Sequence, residues 1–251
     1  MRKLFLIYAF VIVVFLFTTS SLVVMTSAAA FASTCCVYYP GYQAGYTLGA
    51  TGAVSAKMSS AYAIPTVTCT SNSEYITFII GIGQLHLIDV GVELQVTCNN
   101  GVPSYALYAV LPGQSEPLSG IPAPGKIVAF AGSEDAATGA VSFTITFDGR
   151  IALGGTNVGT STSPTLAQWL LYASGCPPCL GPVPKFTAIR TTGDKITLGT
   201  HTGSLGSFLK ISSDKVLGYE IWNIPDHHVL AKPTTVTSTS SSFSIKWITA
   251  S

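Results

Sequence analysis

The chain has 251 residues, of which 48% are hydrophobic and only 9% charged, with a formal net charge of +1. That balance excludes an electrostatic grip on nucleic acid or acidic lipid, which needs a clustered basic face. The length allows one large β domain or two small ones, and 24 Gly and 14 Pro amid abundant Ser and Thr suit short strands joined by tight turns.

Arg2 and Lys3 precede an apolar run from Leu4 to Phe17, and Ala30-Phe31-Ala32 has the A-x-A form of a signal-peptidase site. Cleavage after Ala32 is expected, making 1–32 a signal peptide. Leu4 to Met25 is also just long enough to span a bilayer, so an uncleaved anchor is the alternative. Either way the rest of the chain lies outside the cytoplasm, and membrane contact is expected only through this segment. No interior linker divides residues 33–251, which read as a single domain.

Six cysteines, Cys35, Cys36, Cys69, Cys98, Cys176 and Cys179, agree with an oxidising compartment. Cys69 and Cys98 each end a strand-like run and are expected to pair. Cys176-Pro177-Pro178-Cys179 has no βαβ surroundings and is expected to close a local loop disulfide. No role is assigned to Cys35 or Cys36. A zinc site would need two further ligands, and His227-His228 on a strand would point to opposite faces. No metal or cofactor is expected.

Apolar or alternating runs at Ala61–Thr68, Tyr75–Ile82, Leu87–Thr97, Tyr105–Leu111, Lys126–Ala131 and Ala140–Phe147 predict strands. Others follow at Ala167–Ala173, Phe186–Thr191, Lys195–Leu198, Leu205–Ile211, Gly218–Trp222 and Phe243–Ile248. Turns are expected at Asn99-Asn100-Gly101, Pro112-Gly113, Pro124-Gly125, Asp148-Gly149, Gly154-Gly155 and Thr192-Gly193-Asp194. After the leader no helical pattern stands out, so the class is all-β, a sandwich or a barrel.

Five segments taken in order resemble the glutamic peptidases, or eqolisins. Tyr62-Ala63-Ile64-Pro65-Thr66-Val67 is similar to the family's W-x-V-P strand, and Phe78-Ile79-Ile80-Gly81-Ile82-Gly83 to its W-V-G-I-D-G strand. Leu87-Ile88-Asp89-Val90-Gly91 stands where the family has hydrophobic-x-Q-T-G. The stretch from Asn100 to Pro112 is similar to Y-x-A-W-Y-E-x-Y-P, and Leu166-Ala167-Gln168-Trp169-Leu170-Leu171 to A-E-W-I-V-E. The resemblance implies an antiparallel β-sandwich of two packed sheets with a polypeptide-binding cleft on one face.

In the family a glutamate acts as general base on water and a glutamine amide stabilises the oxyanion. The match puts Asp89 at the glutamine position and Gln168 at the glutamate position. It assigns Ile79, Gly83, Glu93, Tyr105 and Ala109 to the substrate-binding surface. Ile79 and Gly83 replace a Trp and an Asp, and Ala109 replaces a Glu. Gln168 has no accessible pKa and cannot serve as a base. Strand parity puts Ile88, Val90, Val92, Leu94 and Val96 on the core face and Asp89, Gly91, Glu93 and Gln95 on the other. On the second strand Gln168, Leu170 and Tyr172 share a face, so Asp89 and Gln168 both read as outward polar side chains, and the resemblance implies that they face each other across the cleft.

Three readings follow. The domain is a secreted or surface-tethered, non-catalytic binding or structural module. Alternatively it is an acid endopeptidase with a swapped Asp89/Gln168 dyad. In the third it is an adhesin or filament subunit whose terminal strand, Phe243 to Ile248, is donated to another chain.

Overall fold

The computed structural model describes residues 42–50, 55–84, 87–160, 166–173, 183–211, 214–223 and 228–248. They lie within one compact unit, Tyr38–Ser251. The leader, Cys35, Cys36, Cys176, Cys179 and His227 fall outside the described residues.

Seventeen strands account for most of the described residues. In chain order they are β1 (Tyr42–Ala50), β2 (Ala56–Ala63), β3 (Val67–Thr68), β4 (Tyr75–Gln84), β5 (Leu87–Asn99) and β6 (Val102–Leu111). Then come β7 (Gln114–Pro117), β8 (Ile127–Glu134), β9 (Ala140–Phe147), β10 (Arg150–Thr160), β11 (Leu166–Ala173) and β12 (Lys185–Phe186). The last are β13 (Ile189–Leu198), β14 (His201–Gly203), β15 (Asp214–Asn223), β16 (His228–Pro233) and β17 (Ser244–Trp247).

All pairings are antiparallel. The first sheet runs β7-β6-β5-β4-β11-β1-β15-β16-β17, and the second runs β10-β9-β8-β2-β13, with β14 also on β13. Strand β13 belongs to both: Ile189 and Arg190 pair with β17, and Thr191 to Leu198 pair with β2. A separate ribbon pairs β3 with β12.

The second sheet packs through strands whose burial alternates. In β9, Val141, Phe143 and Ile145 are buried while Thr144 is exposed, the period-2 pattern of a half-buried strand. Between the sheets lie Phe78, Ile80, Val92 and Trp169 of the first and Met58, Tyr62, Phe130 and Ile145 of the second. Tyr62 meets Phe78 edge to face, with ring centroids 4.8 Å apart, a preferred aromatic geometry. The expected all-β sandwich is the observed class.

Several elements differ from the sequence expectation. Leu205–Lys210 is a 3-10 helix rather than a strand, with Leu205, Gly206 and Phe208 buried. Inward positions at 205, 206 and 208 break a period of two and suit a helical turn, not a pleat. Gly154-Gly155 lies inside β10, paired with Thr144 and Phe143. Thr192-Gly193-Asp194 is no turn either; it is an irregularity within β13. The terminal strand β17 is paired on both sides, by β13 and β16, so it is not available for donation to another chain.

Candidate functional site

The face of the first sheet turned away from the second carries most, but not all, of the residues that the family resemblance singles out. The register aligns Thr47, Gln168, Gly81, Gly91 and Val110 across β1, β11, β4, β5 and β6. Residues directly opposite in antiparallel strands share a face, so these five side-chain positions form one row. Trp169, one residue along, faces the opposite way and donates its indole N–H to Ser60 of the second sheet at 3.1 Å.

Gln168 faces away from the second sheet yet is completely buried, contrary to the outward, solvated position expected of it. Its Nε2 donates to the Gln84 carbonyl at 2.7 Å, and its Oε1 has no hydrogen-bond partner. Thr47 beside it is 1% exposed, and its hydroxyl lies 3.4 Å from the Tyr219 hydroxyl. Two glycines continue the row because nothing larger fits. A Cβ on Gly81 would come within 2.5 Å of the Val90 carbonyl oxygen and 2.7 Å of Ile88 Cγ2, and one on Gly91 within 2.5 Å of the Ile80 carbonyl oxygen.

Ile88 overturns the parity argument. Its methyl lies over Gly81 and Gly91, on the face of Gln168 and not in the core with Val90 and Val92. The cause is a β-bulge: Ile82 pairs with Val90 but Gly83 pairs with Ile88, leaving Asp89 as the extra residue. One inserted residue resets which side chains share a face. Asp89 is half-buried at this bulge.

Farther along the same face Glu93 pairs with Ile79 on one side and Tyr108 on the other. Gln95 Nε2 donates to Glu93 Oε1 at 2.6 Å. Burial raises the Glu93 carboxyl above its ordinary range, and the Gln95 bond only partly offsets this. Thr77 donates to the Tyr75 hydroxyl at 2.5 Å, and burial pushes that phenol up to about 12. Alternation along Tyr75–Ile82 already placed Tyr75, Thr77 and Ile79 on one face, so this cluster was within reach of the sequence.

The face thus brings together Gln168, Ile79, Gly83 and Glu93, with Asp89 at its bulge. Tyr105 and Ala109 lie on the other side. Tyr105 pairs with Val96 and its hydroxyl accepts the Val67 N–H at 3.0 Å, while Ala109 pairs with Val92 and is wholly buried. Both belong to the inter-sheet core, since positions 105, 107, 109 and 111 alternate inward.

Cys69 and Cys98 form the expected disulfide, 29 residues apart in sequence. Buried Glu74 lies beside them and accepts from the N–H and hydroxyl of Thr70. Among the described residues this is the only His, Cys, Asp or Glu grouping close enough to hold a metal, and its sulfurs are bonded to each other.

No protein-family model and no curated protein sequence matches the chain. Solved structures do. A scytalido-glutamic peptidase with a transition-state analogue inhibitor aligns with TM-score 0.59 at 13% identity, covering 84% of this chain and 100% of that one. SCP-B, a member of the eqolisin family in complex with the tripeptide Ala-Ile-His, aligns with TM-score 0.55 at 11% identity, covering 83% and 98%. Aspergilloglutamic peptidase from Aspergillus niger aligns with TM-score 0.50 at 15% identity, covering 69% and 99%. The chain therefore has a glutamic-peptidase-like fold.

Proposed function

We propose that this glutamic-peptidase-like sandwich is a secreted or surface-tethered module, one domain from about residue 33 onward, that binds polypeptide on its outer sheet face without hydrolysing it. The observation that carries the reading is the state of Gln168. The position that the resemblance gives to the general base holds a carboxamide, which takes no proton from water. That amide is buried and already donates to the Gln84 carbonyl. In a swapped dyad only its second N–H would be left for an oxyanion, in a position closed to solvent, and a lost oxyanion donor costs about 10²–10³ in rate. The Cys69–Cys98 disulfide supports a place outside the cytoplasm. The paired β17 removes the feature that favoured an adhesin.

The test is cleavage of an unfolded protein in acid, between about pH 2 and pH 5, alongside retention of the same unfolded chains by immobilised protein. Retention without cleavage is the expected result. Turnover abolished by Asp89→Asn would replace this reading with the swapped dyad. Turnover that survives Asp89→Asn would move the active site elsewhere.

A further inference from the structure

Another buried carboxyl lies in the core, where β13 crosses between the sheets. Gly193 has a left-handed backbone (φ 66°), and the β13–β2 register shifts between Thr192 and Lys195. Glycine tolerates that conformation at little cost. The irregularity turns Asp194 inward, where it is only 6% exposed. Its Oδ1 accepts the Ser60 hydroxyl at 2.6 Å, and its Oδ2 accepts the Thr191 hydroxyl at 2.6 Å. Ser60 Oγ in turn accepts the indole N–H of Trp169 at 3.1 Å. One hydrogen-bonded chain thus joins β11 of the first sheet to β2 and β13 of the second.

Among the described residues Asp194 makes no ion pair. Beside Ser60 on β2 the inward side chains are Met58 and Tyr62; β11 contributes Trp169 and the segment before β17 contributes Phe243. On β13 the cations Arg190 and Lys195 are exposed. Tyr62 is the titratable neighbour among these inward groups, and burial keeps its phenol protonated. A buried carboxylate supported only by hydroxyls is costly.

Thr191 supplies the remedy. Its N–H donates to the Phe243 carbonyl at 3.0 Å, its Oγ1 accepts the Phe243 N–H at 3.3 Å, and the same carbonyl lies 3.4 Å from Oγ1. The hydroxyl proton therefore has two acceptors, Asp194 Oδ2 and the Phe243 carbonyl. We propose that Asp194 is a built-in proton-binding site that joins the two sheets more firmly in acid. A proton taken from solvent sits on Oδ2 and is donated to Thr191 Oγ1, while the Thr191 hydroxyl proton turns to the Phe243 carbonyl. Thr191 then donates once and accepts twice, the full capacity of a hydroxyl. Ser60 and Trp169 keep their bonds. Both protonation states use the same heavy-atom positions, so the switch requires no backbone movement.

The direction of the Asp194 shift agrees: burial raises its proton affinity, and the hydroxyls of Ser60 and Thr191 pull it back by less. A carboxyl raised on folding binds its proton more tightly in the native state. Stability then rises as pH falls through the folded pKa and levels off below the unfolded value of about 3.9.

Two measurements on the intact protein decide it. Carboxyl ¹³C NMR of the wild type, with Asp194 assigned through its own side-chain correlations, should give a titration midpoint above about 3.9. Urea midpoints at pH 4 and pH 7 should fall with rising pH in the wild type and fall less in Asp194→Asn. The carboxamide mimics the protonated group, accepting from Ser60 and donating to Thr191, so at pH 7 its urea midpoint should equal or exceed the wild type's. An NMR midpoint at or below the ordinary value would overturn the proposal even if the variant does not fold. So would an Asp194→Asn midpoint depressed at pH 7 with the pH 4 to pH 7 difference unchanged.

Discussion

Replacing Gln168 by Glu puts a carboxyl where an amide now donates to the Gln84 carbonyl at 2.7 Å in a site with no solvent exposure. Above its folded pKa the new group is a buried anion facing a carbonyl oxygen, with neither charge partner nor donor. Below it, the carboxylic O–H can take over the donation that Nε2 makes. Fully buried carboxyls are raised by up to about 3–5 pH units; a rise of about 2, at about 1.36 kcal/mol each, corresponds to a loss of about 2.7 kcal/mol at pH 7. The sign follows from the raised folded pKa. The loss is complete above that pKa and disappears below the unfolded value of about 4.3, leaving a change within about 1 kcal/mol for the exchanged hydrogen bond. Urea unfolding of wild type and variant at pH 7 and pH 3.5 reads both limits, and with m of about 2 kcal/mol/M the pH 7 midpoint should drop by about 1.3 M. An equal loss at both pH values would show that donation to Gln84 is not what the site requires. No loss at either would show that water reaches the side chain. Adding Asp89→Gln rebuilds the family's pair, and the double variant should cleave denatured protein in acid weakly, above either single variant.

Three further outcomes test other parts of the structure. Glu93→Gln should flatten the rise in urea midpoint between pH 7 and pH 4, since burial raises the Glu93 carboxyl and makes its neutral form the better tolerated one; an unchanged slope would mean the group is solvated. Replacing Cys69 and Cys98 together by Ala opens a crosslink of sequence separation 29, and should cost about 3–4 kcal/mol by loop entropy; a urea midpoint equal to the wild type's would contradict that. Gly81→Ala should lose more than about 2 kcal/mol, because its Cβ would meet the Val90 carbonyl oxygen at 2.5 Å. Adding Ile88→Ala should recover little of this, since the backbone contact remains.

How far the sequence carried depended on whether a segment's own pattern determined its environment. Ala140–Phe147 alternates cleanly and appears as β9 with its predicted ends. Tyr42–Ala50 escaped notice because it is covered on both faces, so Gln43 and Thr47 are buried beside Ala44 and Leu48 and no alternation survives. Glycine pairs misled in the other direction: Gly154-Gly155 lies within a strand whose partner, not its own chemistry, holds it extended. The candidate site was legible by strand but not by face. Gly81, Gly83 and Gln168 stand where period-2 counting puts them, whereas Ile88 and Asp89 do not, because a one-residue bulge is invisible in a run of apolar residues. Asp194 carried a weak signal, a Thr three residues before an Asp next to a Gly. Its reading as a turn was natural, since the burial that gives it meaning comes from Ser60 and Phe243, far away in the chain.

The shared strand β13 also bears on how so weakly charged a domain limits edge-to-edge pairing. Two separate sheets have four lateral edges, each with backbone N–H and C=O groups open to pairing with a neighbour. Many proteins guard such edges with lysines, which this chain can ill supply, having 12 Lys and Arg in all. Joining the sheets through β13 leaves the main path ending only at β7 and β10 among the described residues. Strand β7 is four residues long, too short to template much pairing. Strand β10 is longer, but its register with β9 shifts after Ile151 and again after Thr156, and such irregularities spoil the flat, regular edge that another strand would need. Topology and broken register thus do at the margins of this fold what charge does elsewhere.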